Sequence, residues 1–189
     1  MNQASTARAF IAFEIPDAVR ASLDAARDRV RDTLPPARWT RPAAWHLTVK
    51  FFGEANRDAL EQLAADLRPC LSGRGVVNGD LVGGGFFPSP VKPRVAWIGG
   101  SLAGAGPVVD EVEAAAIGAG FSAEGRPWTA HLTMARLKSR WPRGAVDAYL
   151  EWAAALVDLT FVCREVVLFE SRLQPGGAVY TALERIPLE

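Results

Sequence analysis

His46 and His131 are the only histidines in the chain, and each begins the same tripeptide, His46-Leu47-Thr48 and His131-Leu132-Thr133. Successive side chains of a β-strand alternate faces, so a histidine and a threonine two positions apart point the same way while the leucine between them points into a core. Each tripeptide therefore presents an imidazole beside a hydroxyl. Imidazole titrates near neutral pH, so a neutral copy can take a proton from a nucleophile while a protonated copy gives one to a leaving group. Each role is worth typically ~10²–10⁴-fold in rate. The hydroxyls of Thr48 and Thr133 can donate hydrogen bonds where negative charge develops. A single histidine in an apolar strand is ordinarily a satisfied core residue; two matched copies at matched positions point to chemistry. No carboxylate or thiol stands beside either histidine at ligand spacing, so no metal site is read here.

The repetition is wider than the tripeptides. The shift of 85 residues that superimposes the histidines also lays Phe10-Ile11-Ala12-Phe13 on Val95-Ala96-Trp97-Ile98, and each apolar run begins 36 residues before its histidine. An alanine-rich amphipathic stretch follows each run, so the order strand, helix, strand occurs twice. Such self-similarity marks a duplicated unit, and a two-fold arrangement of its halves would bring both histidines to one cleft. Five residues beyond each histidine stand Phe51 and Arg136. An odd offset faces away in a regular strand, so these two reach the cleft only if a bulge or strand end turns them back. Otherwise Phe51 is core and Arg136 a surface cation.

The elements that must hold these residues are legible along the chain. Arg8 to Ile15 is apolar enough for a buried strand, and Pro16 suits a first helical position. Val19, Leu23, Ala26 and Val30 recur at helical spacing between Asp17 and Asp32. Trp39 ends a short strand, and Trp45 to Phe52 reads as the first histidine strand, stopped by Gly53. A helix is expected from Arg57 to Leu67, with Pro69 just past its end. Val76 to Phe87 reads as one glycine-rich strand, with a hairpin turn at Asn78-Gly79 as the competing reading. Arg94 to Ile98 is a strand, Gly104 to Gly120 holds a helix, Trp128 to Leu137 is the second histidine strand, and Ala145 to Leu156 is a last helix. Leu159 to Leu168 and Ala178 to Leu183 are expected to pair across Gln174-Pro175-Gly176-Gly177. This alternation points to an α+β fold, with helices outside antiparallel sheets, in a single domain over residues 1–189.

Composition agrees with an ordinary globular unit: 189 residues, 49% hydrophobic and 22% charged, enough to bury roughly 70% of the unfolded surface. Twenty-one basic residues balance twenty-one acidic ones. A protein gripping long nucleic acid through many phosphates carries a positive excess, so a nucleic-acid partner would be held at one end or one nucleotide. Arg136, Lys138, Arg140 and Arg143 follow the second tripeptide and Lys50 follows the first; such a run is ordinarily a solvated rim. Cys70 and Cys163 form no disulfide framework or zinc knuckle. Trp45 and Trp128, near the histidines, are the tryptophans placed to line a groove. No leader sequence or stretch near the ~20 apolar residues of a membrane span is read, so the expectation is a cytoplasmic protein with no membrane partner.

With these residues in view the chain resembles the 2H phosphoesterases, and among them the bacterial RNA 2′,3′-cyclic phosphodiesterases once named 2′-5′ RNA ligases. The resemblance runs through Arg8 with Phe10-Ile11-Ala12-Phe13, Trp39, His46-Leu47-Thr48-Val49-Lys50-Phe51-Phe52-Gly53, Phe87-Pro88, Arg94-Val95-Ala96-Trp97, His131-Leu132-Thr133-Met134-Ala135-Arg136, Leu168-Phe169-Glu170-Ser171, Gly177 and Tyr180. The chain departs from the family in having Ala130 where a proline usually precedes the second histidine. The resemblance implies two pseudo-symmetric lobes, each a small antiparallel sheet backed by helices, with the histidine strands facing across a central groove. It also implies hydrolysis of RNA or oligonucleotide 2′,3′-cyclic phosphate ends, and of cyclic nucleotides, without metal or cofactor. His46 would be the proton donor and His131 the base, leaving a 2′-phosphate. Phe51 and Arg136 would bind substrate, stacking on a nucleobase, and the protein would act as a monomer.

Two rival readings differ in kind. One is a binding module for nucleotides or RNA ends that uses the histidines only as hydrogen-bond donors; retention of both histidines and both threonines argues against it. The other is end joining through a 2′-5′ linkage, the reverse of the same chemistry. The chain has no nucleotide-activating lysine motif, so joining would be a side reaction.

Overall fold

In the computed structural model, which describes residues 5–175 and 177–189, strand β1 (Thr6–Glu14) is apolar on both faces because it lies inside a sheet. It pairs antiparallel with β3 (His46–Asn56) and β8 (Glu165–Gln174), and β9 (Gly177–Pro187) lies beyond β8. A strand covered on both faces loses the alternation of a half-solvated one. Ile11 and Phe13 enter the main core, while Phe10 and Ala12 meet Val167 and Phe169 on the other face.

The second sheet has the order β2 (Ala37–Trp39), β6 (Leu132–Leu137), β5 (Val95–Ala103), β4 (Val77–Phe87), β7 (Thr160–Cys163), again all antiparallel. Among the described residues four α-helices accompany the sheets: α1 (Asp17–Asp28), α2 (Arg57–Leu71), α3 (Ala105–Gly118) and α4 (Arg143–Ala154). The halves of the chain exchange strands. β4 follows α2 yet joins the sheet of β5 and β6, and β8 and β9, from the end of the chain, complete the sheet of β1 and β3. One continuous core results. Leu60, Leu63 and Leu67 of α2 and Val108 and Val112 of α3 pack with Leu47, Leu132 and Met134, the apolar side chains that alternate with the histidine and threonine positions. α4 covers the other side of β4, setting Val146 and Tyr149 against Phe86, Ala96 and Ala135.

The structure corrects several boundaries. Gly53 does not stop the first histidine strand; it adopts φ +70° at an irregularity and β3 continues to Asn56. Pro69 lies within α2, whose last turn is retained because Leu71 is fully buried. Pro16 sits at the N-cap, and α1 ends at Asp28, where Arg27 is buried and bonds to the carboxylates of Asp24 and Asp28. The run from Leu159 to Leu168 is two strands: Arg164 separates β7 from β8, and the chain passes there from one sheet to the other. β8 alone pairs with β9, from Glu165 to Gln174. Trp128 to His131 all precede β6, so His131 stands one residue before its strand. Among the described residues no helix is long and apolar enough to cross a membrane.

Lys50 is not a rim cation. Its ammonium is buried and donates to Glu113 Oε2 on α3 at 2.7 Å and to the Ser122 carbonyl at 2.8 Å, while Glu113 Oε1 accepts from the Glu124 N–H at 2.6 Å. The strand of one histidine is thereby tied to the loop that leads to the other. Removing one partner of a buried ion pair leaves the other charge uncompensated, at a cost of about 3–5 kcal/mol. Glu113→Ala is therefore expected to lower unfolding free energy by about 3 kcal/mol in denaturant titration. Asp147→Ala, which breaks the exposed pair with Arg143, is expected to change it by less than about 0.5 kcal/mol. Equal effects of the two would contradict the buried clamp.

Candidate active site

The two histidine strands carry the same irregularity at the same place. Along β1 and β3 the partners run Ala12 with Thr48, Ile11 with Lys50 and Phe10 with Phe51, leaving Val49 unpaired. Along β5 and β6 they run Trp97 with Thr133, Ala96 with Ala135 and Val95 with Arg136, leaving Met134 unpaired. Val49 and Met134 each stand three residues after their histidine. One extra residue reverses the alternation beyond it. Phe51 and Arg136, which would face away in a regular strand, thus share a side with the histidine and threonine that precede them.

All six residues line one cavity of about 930 Å³, together with residues of both sheets. The structure thus brings His46, Thr48, Phe51, His131, Thr133 and Arg136 together at one place. Trp128 also lines the cavity and donates its indole N–H to the Thr48 carbonyl at 2.8 Å, bracing the loop before His131 against the strand of His46. Trp45 does not line it; its ring is core.

The histidines are held alike. The Nδ1 of His46 lies 2.9 Å from the Ala44 carbonyl and the Nδ1 of His131 lies 3.0 Å from the Thr129 carbonyl, two residues back in each case. A carbonyl only accepts, so Nδ1 carries the hydrogen in both rings and Nε2 is left for chemistry. His46 stacks on Phe10 at 4.5 Å and meets the edge of Tyr180 at 4.9 Å, while His131 stands perpendicular to Phe87 at 5.0 Å. Burial pushes His46 down to about 4; the Ala44 carbonyl opposes this, and the charges of His131 and Arg20 add to it. Among the described residues neither threonine hydroxyl bonds to a protein acceptor, which leaves both free for a ligand.

Two further cavity residues were legible only as parts of the family resemblance. Arg8 shares the face of Phe10 by alternation on β1, and its guanidinium lies 4.7 Å above the Phe51 ring. Tyr180 reaches in from β9. Burial raises the Tyr180 hydroxyl, with Arg136 and Arg8 pulling it back, so both cations stand near this ring. An exposed cation–π contact is worth ~0.5–1 kcal/mol, less than the ~1–3 kcal/mol of a base stacked on an aromatic. Phe51 is 47% exposed, so a nucleobase could displace Arg8 from it.

The profile of a family described as LigT like Phosphoesterase matches residues 13–97 and 103–180. A Thermus thermophilus protein named RNA 2′,3′-cyclic phosphodiesterase is 31% identical over 196 aligned positions, covering 96% of this chain and 90% of its own. Proteins of the same name from Aeropyrum pernix and Methanothermobacter thermautotrophicus are 33% and 28% identical, over 85% and 94% of this chain and 91% and 96% of their own. A Thermus thermophilus crystal structure superimposes with TM-score 0.79 at 27% identity, over 96% of this chain and 97% of that one. The crystal structure of Escherichia coli LigT complexed with 3′-AMP shares the fold, with TM-score 0.73 at 22% identity over 97% and 99% of the two chains.

The depressed His46 has a consequence for stability. Between pH 6.5 and about 4 the unfolded chain binds a proton at this position that the folded chain does not, so stability rises with pH through that window and is lost as pH falls. Between pH 7 and pH 5 the wild type is expected to lose about 2 kcal/mol more unfolding free energy than His46→Gln. Parallel losses in the two proteins would show that His46 is not desolvated.

Proposed function

This chain belongs to the LigT-like phosphoesterase family, and we propose that it hydrolyses 2′,3′-cyclic phosphate ends of RNA to 2′-phosphomonoesters. The observation that carries the reading is the pair of bulged strands, which presents two imidazoles, each with Nε2 free and a threonine beside it, to one cavity. Its relatives are named for the same activity.

In this reaction a water oxygen attacks phosphorus as the bond from phosphorus to the ribose 3′ oxygen breaks. His131 Nε2 takes the proton of the water and His46 Nε2 gives one to the departing oxygen, so the two rings end with their protonation exchanged and reset through solvent. The assignment of donor and base comes from the family resemblance. In the free protein burial holds His46 neutral at neutral pH, so its donor form has to be populated together with the negative phosphate, which supplies the opposite charge. Thr48 and Thr133 donate to the non-bridging oxygens as charge builds there. Phe51 and Arg136 hold the nucleoside, the ring by stacking and the guanidinium by stacking or by steadying the phosphate.

No metal enters this scheme, and among the described residues no three histidine, cysteine or acidic side chains converge as a ligand set. The matching bulges support a single bilobal domain over residues 1–189 that arose by duplication. Every group named comes from one copy of the chain, which supports action as a monomer, and the proposed RNA substrate supports a cytoplasmic enzyme.

Turnover of a cyclic-phosphate-ended oligoribonucleotide in EDTA tests the reading. His46→Ala and His131→Ala are each expected to lower kcat by at least ~10²-fold while the folded state persists, and kcat is expected to be bell-shaped in pH. Loss of wild-type activity in EDTA, restored by a divalent ion, would replace this mechanism with a metal-dependent one. Near wild-type kcat in either folded variant would remove that histidine from the chemistry.

A further inference from the structure

Five arginines line the cavity, Arg8, Arg38, Arg41, Arg126 and Arg136, against a single carboxylate, Glu124. The chain as a whole is neutral, so this excess is local. Most arginines outside the cavity pair with acidic neighbours, as in the contacts of Arg27 with Asp24, Arg57 with Glu170 and Arg185 with Glu14, although among the described residues Arg29, Arg94 and Arg140 do not. Among the described residues none of the five cavity arginines forms an ion pair.

Three of them are placed in a row. Arg38 of β2 is the direct cross-strand partner of Arg136 on β6. Residues so paired share a face with Cβ atoms roughly 4.5–5.5 Å apart, and like charges in that relation destabilise a sheet. Three residues on, Arg41 reaches the β8–β9 hairpin, where its Nη2 is 3.5 Å from the Ala178 carbonyl. The guanidinium tips of Arg38 and Arg41 converge on Gly177: a Cβ there would lie 3.3 Å from one and 3.8 Å from the other, and the backbone φ of +121° also excludes a side chain. These contacts set the two cations side by side, with no counter-charge, on a path that begins at Arg136 beside the catalytic groups and leads outward.

We infer that Arg38 and Arg41 form a track for the RNA strand running 5′-ward from the reacting nucleotide, binding the first two phosphodiesters beyond the cyclic end. The inference rests on the phosphodiesterase reading for the identity of the 3′ end in the cavity. A phosphodiester carries one negative charge, and two successive ones supply the counter-charges that the sheet edge lacks. The substrate class is then an oligoribonucleotide end, with a cyclic mononucleotide as a poorer substrate that never reaches the track.

The test compares 2′,3′-cyclic AMP with oligoribonucleotides bearing the same cyclic end and one, two or three upstream phosphodiesters, for wild type and for the double variant Arg38→Gln, Arg41→Gln. Binding of a labelled tetranucleotide is followed in parallel by fluorescence anisotropy at several salt concentrations. In the wild type kcat/KM is expected to rise at least about 10-fold over the first two phosphodiesters and then level off. The double variant is expected to lose most of that rise, to lower the salt slope of binding by about 1.4, and to turn over cyclic AMP within about two-fold of wild type. It should melt no lower than wild type, since a repulsion is relieved. Equal kcat/KM for mono- and oligonucleotides, or a length dependence unchanged in the variant, would overturn the track. Arginine-dependent binding of the strand without turnover of any substrate would support the track while defeating the hydrolase reading.

Discussion

A regular strand cannot put His46, Thr48 and Phe51 on one side, because the third stands at an odd distance from the other two. The extra residue Val49 removes that restriction, and Met134 does the same for His131, Thr133 and Arg136. The rest of the site depends on these two bulges. Before each bulge the strand delivers an imidazole and a hydroxyl; after it the strand delivers a group able to lie against a base. The inward residues Leu47, Leu132 and Met134 are fully buried, so neither strand can slide by one residue without exposing its anchor and burying its chemistry.

Around this constraint the fold acts as a clamp between two sheets. The exchange of β4 against β8 and β9 means that neither half closes its sheet without strands from the other, which gives the histidines a shared frame. Three contacts stiffen that frame near the site: the buried Lys50 on Glu113, the Glu124 N–H on the same carboxylate, and the Trp128 indole on the Thr48 carbonyl. Together they tie the strand of His46, the helix that packs against it and the loop before His131 to one another. The spacing of the two imidazoles is thus set by packing and by buried polar contacts.

The histidine tripeptides were legible because the chain has two histidines and repeats their surroundings, and the core leucines followed from alternation. The bulges were not legible: nothing at Val49 or Met134 distinguishes them from ordinary strand residues, since a bulge is fixed by the partner strand and not by local propensity. Gly53 shows the converse, a residue read as a terminator that serves as a bend within β3. The division between β7 and β8 at Arg164 was hidden by continuous apolar sequence on both sides, and sheet exchange is a non-local choice that no window of sequence contains. Lys50 and Trp45 lie near the site in sequence and turn away from it, each fixed by a burial that only the assembled fold supplies. Arg38 and Arg41, by contrast, carry no motif; their meaning comes from what stands opposite them.

The central claim is that two fixed imidazoles act from opposite sides on one phosphorus, which permits only one ribose oxygen to leave. Phosphorus NMR of the product formed from a 2′,3′-cyclic phosphate end, in the presence of EDTA, tests this most directly. The account predicts a single 2′-phosphomonoester. A mixture of 2′- and 3′-phosphates, or an unchanged cyclic phosphate, would contradict it.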